Sequence, residues 1–237
     1  MGIVLGVYLS IALYRPPSCL DAVQNQGELG VDCGGPCALL CPSQVQPMVV
    51  SWTRGFEVSP GWWSALAYVE NPNVNAYARS IPYRFRLFDK DGLLIIERRG
   101  TTFVGGNDSV VPIFVGRLNV SKTTPYRTMF EWEGEPEWVS TGNTYQLSLE
   151  EQRHMTREPG EEVTATLQNN GPDTLYGVEV VVIVYDDREH AIATSQTFVE
   201  TLAPREKRRL AFVWPQRFKA SVGRIELVPR VPWSVQR

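Results

Sequence analysis

The carboxy-terminal half of this chain repeats its middle at a shift of about 97 residues, and that repeat restricts the fold more than any other feature. "AYVENPN" (67–73) falls on "ATLQNNG" (165–171), "YRFRLFDKDG" (83–92) on "VVVIVYDDRE" (180–189), "GTTFV" (100–104) on "SQTFV" (195–199), and "VPIFVG" (111–116) on "LAFVWP" (210–215). One such match would be chance; four in the same order imply two copies of one structural unit. Each copy reads as strands. Phe85 and Leu87 alternate with Arg84, Arg86 and Phe88, the period-two pattern of a strand with one dry and one wet face. In "VEVVVIVYDD" both alternating sets are apolar, Val178, Val180, Val182 and Val184 on one side and Val181, Ile183 and Tyr185 on the other. Such a strand belongs centrally in a sandwich, with both faces covered. "DKDG" (89–92) and "DDRE" (186–189) supply hairpin turns, while "ENPN" and "NNGP" close the strands before them.

The expected fold class is therefore all-β: two tandem immunoglobulin-like β-sandwiches of seven strands each, following an N-terminal hydrophobic helix and a short disulfide-rich segment. The expected boundaries are 1–14 for a membrane anchor, 15–43 for a cysteine-rich spacer, and 46–140 and 144–237 for the sandwiches, joined by the polar "EWEGEPEWVSTGNT". The 17 prolines and 19 glycines suit many short strands joined by turns, and a net charge of −3 argues against nucleic acid as a partner. The repeated residues resemble those of FxLYD-type and water-stress (late-embryogenesis-abundant type 2) sandwich domains. Asn71, Pro72, Asn73, Phe88, Asp89 and Gly92 carry the likeness in the first copy, and Asn169, Gly171, Tyr185 and Asp186 in the second. Leu202, Pro204, Glu206 and Phe212 also look like the second halves of adhesion-type sandwiches on bacterial surface proteins. These resemblances imply a mostly non-enzymatic module and leave its partner open.

Residues 1–14, "MGIVLGVYLSIALY", carry no charge and stop at Arg15-Pro16-Pro17. A full span needs about 20 apolar residues, and a signal peptide needs a basic start. The segment reads as part of a longer signal anchor, with the membrane as partner and everything after Arg15 outside the cytosol.

The stretch 18–42, "SCLDAVQNQGELGVDCGGPCALLCP", holds Cys19, Cys33, Cys37 and Cys41. Structural zinc sites pair closely spaced cysteines on both sides, whereas Cys19 stands alone. An iron–sulfur cluster is disfavoured because Gly34-Gly35-Pro36 offers no helix and acidic neighbours would face the thiolates. Outside the cytosol the default is two disulfides, with three pairings open. Asp21, Asn25, Glu28 and Asp32 form a candidate calcium site, since that ion takes about six to eight oxygens from short-range donors. The same side chains equally cap turns. Bound calcium would stiffen a spacer between membrane and sandwich. The segment resembles the "C-x-D-G-x-x-N-x-x-E-x-x-x-D-C-G-G-x-C-x-x-C" element of secreted and cell-surface bacterial proteins, departing in Ala22 where glycine is usual and in a longer gap before Cys41.

Catalytic patterns are sparse. His154 and His190 have no metal-ligand spacing, and no G-x-S-x-G elbow supplies a nucleophile. "EWEGEPEW" sets Glu131, Glu133, Glu135 and Glu137 at period two, but Gly134 and Pro136 make it read as a solvated linker rather than a glycosidase pair. "REKRR" (205–209) reads as charge protecting an edge strand. The expected function is that of a membrane-anchored, extracytoplasmic, non-catalytic module of the cell envelope that contacts other envelope proteins. The alternative is a glycan-binding module that stacks sugars on Trp62 and Trp63, tryptophans that equally suit a core.

Overall fold

Period-two burial along the chain becomes thirteen β-strands and one short 3-10 turn (Pro42–Gln44) in the computed structural model, which describes residues 17–106, 108–121, 123–140 and 145–232. The expected N-terminal helix and anchor fall outside the described residues. Among the described residues no helix is long and apolar enough to cross a membrane.

The first unit contains β1 (Val49–Ser59), β2 (Trp62–Glu70), β3 (Ala76–Phe88), β4 (Leu94–Val104), β5 (Val110–Asn119), β6 (Arg127–Trp132) and β7 (Trp138–Ser140). The second contains β8 (Leu147–Arg157), β9 (Gly160–Asn169), β10 (Leu175–Tyr185), β11 (Ala191–Leu202), β12 (Lys207–Trp214) and β13 (Arg224–Arg230). Pairing is antiparallel, in the orders β1-β2-β5 and β4-β3-β6 in the first unit and β8-β9-β12 and β11-β10-β13 in the second. The two orders are the same. Six strands recur among the described residues, and the first unit adds the short β7, which also pairs with β3.

The turns that recur in sequence recur in structure. Asn71 is buried, accepts the Asn73 N–H on Oδ1 (3.0 Å) and donates through Nδ2 to the Asp108 carbonyl (2.8 Å). Asn169 does the same in the second unit, accepting the Gly171 N–H (3.0 Å) and donating to the carbonyls of Asp173 (2.7 Å) and Leu202 (3.1 Å). Each asparagine ties the end of one strand to a distant loop, satisfying backbone groups that burial would otherwise leave unpaired. Asp89 Oδ1 accepts the N–H groups of Asp91 and Leu93, and Asp186 Oδ1 those of Arg188 and His190. These amides hold the Asp186 carboxyl below the usual carboxylate range.

Three apolar clusters organise the interior. One draws Ala65, Ala67 and Val69 of β2 and Ile113 of β5 together with Phe85 and Leu87 of β3. Another draws Val163 and Leu167 of β9 and Phe212 of β12 together with Val178, Val180, Val182 and Val184 of β10. The third lies between the units, where Phe56 and Leu66 meet Val181, Ile183, Tyr185 and Ala191. β10 is apolar on both faces because one faces its own unit and the other faces the first unit.

The seam between the units is polar at its margins. The hydroxyls of Tyr68 and Tyr185 both donate to the Glu226 carboxylate, each at 3.0 Å. Burial and that carboxylate push the Tyr68 hydroxyl up to about 12. Arg230, 2% exposed, leaves the end of β13 to bond the Pro112 carbonyl (3.2 Å), the Thr102 hydroxyl (2.9 Å) and the Phe103 carbonyl, with its guanidinium over the Phe103 ring. The buried Asp108 carboxylate lies 4.0 Å from Arg230 and accepts the Tyr145 hydroxyl and the Gly105 N–H. Its desolvation raises the Asp108 carboxyl above its ordinary value.

Candidate functional site

The cysteine segment is a stapled set of turns built on left-handed backbone. Cys19 is bonded to Cys37 and Cys33 to Cys41, an interlaced pairing in which no described cysteine is left free. Each cross-link of this kind contributes about 2–4 kcal/mol by restricting the unfolded chain. The chain between them needs positive φ at Ala22 (60°) and at Gly35 (59°), where a Cβ would lie 2.2 Å from the Gly27 carbonyl oxygen. Ala22 occupies the position where the resembling bacterial element carries glycine, and its φ supplies the physical reason for that preference.

The carboxylates of Asp21, Glu28 and Asp32 are engaged inward, while the Asn25 Oδ1 is buried with no partner among the described residues. Asp32 accepts the N–H groups of Asp21 (3.0 Å) and Ala22 (2.9 Å). Asp21 accepts those of Ser18 (3.1 Å) and Val23 (2.9 Å) and the Asn25 amide (2.9 Å), and these bonds, the Asn25 amide foremost, hold its carboxyl low. Glu28, buried at 6% exposure, accepts the N–H groups of Asn25 (3.3 Å) and Asp32 (3.2 Å), with its other oxygen 3.1 Å from the Cys37 sulfur. Metal-ligand atoms of Cys19, Glu28 and Cys37 do converge, but the two sulfurs are joined to each other and cannot act as thiolates. The carboxylates thus cap turns, and a calcium ion here would use the lone pairs that these amide bonds leave.

The segment is not a free spacer. Leu40 donates its N–H to the Trp138 carbonyl (2.8 Å) and Ser140 donates to the Ala38 carbonyl (2.7 Å), so residues 38–40 extend the sheet beyond β7. Gln46 and Asn73 exchange two bonds of 2.8 Å, and Leu40, Val45 and Met48 pack against the first core. The expected solvated linker is also partly sheet. Glu131 lies in β6, where Arg84 (2.9 Å) and Arg86 hold its carboxyl low, and Glu133 pairs with Arg84 (3.4 Å) and Arg99 (3.2 Å). β7 then continues in the direction of β6, pairing with the start of β3.

Between the stapled segment and residues 132–138 lies a groove of about 670 Å³. Leu39, Val45, Met48 and Pro47 line it from one side, Trp132 and Trp138 from the other, and Glu135 and Glu137 stand among the lining residues. Sequence reasoning missed this site because its walls come from separate segments, although Leu39, Trp132 and Trp138 flank features it did single out.

Trp62 and Trp63 are adjacent on β2, so their side chains leave opposite faces. Trp62 is 44% exposed, while Trp63 packs on the first core and lines a separate cleft of about 260 Å³ with Trp214 and Phe218 where the units meet. His154 bonds Glu161 (3.0 Å) and stacks on Phe218, and His190 sits exposed in a hairpin turn. Neither approaches the groove lining. No protein-family model matches the chain, and no curated protein matches it significantly.

Proposed function

We propose that this chain is an extracytoplasmic interaction module of the cell envelope, anchored through its apolar amino terminus and acting by contact rather than catalysis. In this reading two tandem immunoglobulin-like sandwiches present the stapled segment to another envelope protein. The observation that carries it is the apolar groove, walled by the disulfide-linked segment on one side and by the first unit on the other. Paired cysteines support an oxidising compartment. The fourteen uncharged residues at the amino terminus support attachment to the membrane. Extensive packing between the units supports a rigid body that holds one surface in a defined place.

The test is photocrosslinking in intact cells of the source, with a photoreactive residue at Leu39 in the groove, at Phe198 on the second unit and at Val213 on its outer sheet. A discrete crosslinked protein from any of these positions, recovered with the membrane fraction, is the expected result. Crosslinks to cytosolic proteins, or recovery as a soluble protein with four free thiols, would sink the reading.

A second reading rests on the 260 Å³ cleft, whose Trp63, Trp214 and Phe218 rings suit stacking on a sugar. Retardation of the chain in gels containing envelope polysaccharide, lost in Trp63→Ala and kept in Trp62→Ala, would favour that reading; unretarded migration would dismiss it.

A further inference from the structure

We infer that the groove beside the stapled segment accepts an apolar segment of a partner protein that carries a lysine or arginine. This rests on the interaction-module reading and adds the chemistry of the partner. Three observations point the same way.

The first is unsatisfied apolar surface in a preformed place. Val31 is 55% exposed and Leu39 39% exposed, and they share the groove with the half-buried Val45, Met48 and Trp132. Exposed apolar side chains gathered on one concave wall mark an interaction site in a way that scattered ones do not. Pro42, Pro47 and Pro136 and the Cys33–Cys41 bond fix the walls, so little ordering free energy is lost when a ligand enters.

The second is charge. Within "EWEGEPEW" the four glutamates divide into two pairs. Glu131 and Glu133 are neutralised by Arg84, Arg86 and Arg99 on the outer sheet, whereas Glu135 and Glu137, which line the groove, have no ion-pair partner among the described residues. No lining residue is positively charged.

The third extends the field beyond the lining. From residue 16 to residue 53 the chain contains no lysine, arginine or histidine, while Asp21, Glu28 and Asp32 lie within it. The wall contributed by the stapled segment therefore adds only negative potential. An anionic lipid or acidic peptide would be repelled, and a purely apolar peptide would leave both carboxylates unpaired. A segment with apolar side chains for the walls and a cation for Glu135 and Glu137 matches both.

The experiment pans a display library of random decapeptides on the full chain in nanodiscs, with the Leu39→Glu chain as the subtracted control. The expected pool combines apolar residues with lysine or arginine. Its consensus peptide should bind about tenfold more weakly to the Glu135→Gln/Glu137→Gln chain at low salt, and that difference should shrink as salt rises. Val31→Glu serves as a second groove variant, and unchanged unfolding midpoints show that each variant is folded. No enrichment over the control, an acidic or wholly polar pool, or equal binding to the double-glutamine chain would each overturn the inference. A photoreactive residue at Leu39 that crosslinks residues 1–16 of the same chain, or a second copy, would overturn it by showing the groove already filled. Heterologous crosslinks from Phe198 or Val213 with an unreactive groove would leave the interaction module standing without this site; crosslinks from none of the three positions would remove both.

Discussion

The two units pair their strands in one order yet meet through different sheets, β1-β2-β5 of the first against β11-β10-β13 of the second. Positions that correspond by the repeat therefore face opposite surroundings. Leu66 and Tyr68 of β2 face the second unit, while their counterparts on β9 are Thr164 and Thr166. Val181 and Ile183 of β10 are fully buried in the same seam, while their counterparts on β3 are Arg84 and Arg86 on the outer face. A head-to-tail contact between like units can in principle continue without end, because each partner leaves the complementary sheet unused. Here the unused sheets carry polar and charged residues at those positions, so neither presents the apolar surface that the seam uses.

Moving the arginines of β3 into the seam is the most severe way to break this comparison. Val181→Arg/Ile183→Arg should destabilise docking by more than about 4 kcal/mol, because two charges would be buried without partners. Urea unfolding followed by tryptophan fluorescence should then show two separated transitions; one transition at an unchanged midpoint would contradict the seam as described. Arg230→Met should cost about 3–5 kcal/mol by leaving the buried Asp108 carboxylate without its cation, and Asp108→Asn added to it should recover part of the loss. Equal midpoints for the single and double variants would show that the two residues are not coupled. Leu66→Thr, which copies β9 onto β2, should cost about 2–4 kcal/mol, whereas Thr164→Leu, at a position 4% exposed, should cost about 1–3 kcal/mol by overpacking, both read as shifts of the urea midpoint.

The seam should also weaken in alkali. Tyr68 is raised in the folded chain from 10.0 to about 12, so its contribution is complete below pH 10 and declines as the pH climbs toward 12. Unfolding midpoints measured across that window should fall, and Tyr68→Phe should flatten part of the decline; an identical slope in the variant would assign the effect elsewhere. The smallest expected difference concerns the matched hairpin turns, where Gly92 (φ 80°) corresponds to Glu189 (φ 60°). Gly92→Glu should cost about 1 kcal/mol, while Glu189→Gly should be near neutral, since relief of strain offsets lost chain stiffness and the Arg224 contact. A thermal-shift comparison of the two variants would check the asymmetry.

Much of this was legible in the residues. Alternation at Phe85 and Leu87, the turn asparagines and the Asp89 and Asp186 hairpins all appear where the repeat and period place them. The cysteines pair as disulfides, in one of the three arrangements open beforehand. Strand β7 was less legible: it is recruited by pairing with β3 and with residue 39, contacts that its own three residues do not encode. "EWEGEPEW" resembled a solvated linker because local composition cannot reveal that arginines on a distant strand will answer two of its glutamates. The stapled segment resembled a stalk for the same reason. Its bonds to Trp138 and Asn73 join residues far apart in sequence.

What the sequence by itself determined is the class of structure and its duplication, since strand period, turn chemistry and cysteine content act over a few neighbouring residues. Only the tertiary structure decided which sheet of each unit would be covered, that the stapled segment would seat on the first unit, and that an apolar groove would open between them. Those outcomes depend on complementary surfaces meeting across long stretches of chain. β10 shows the division most plainly: its two apolar faces announced that both would be buried, and only packing revealed that the second would be buried by the other unit.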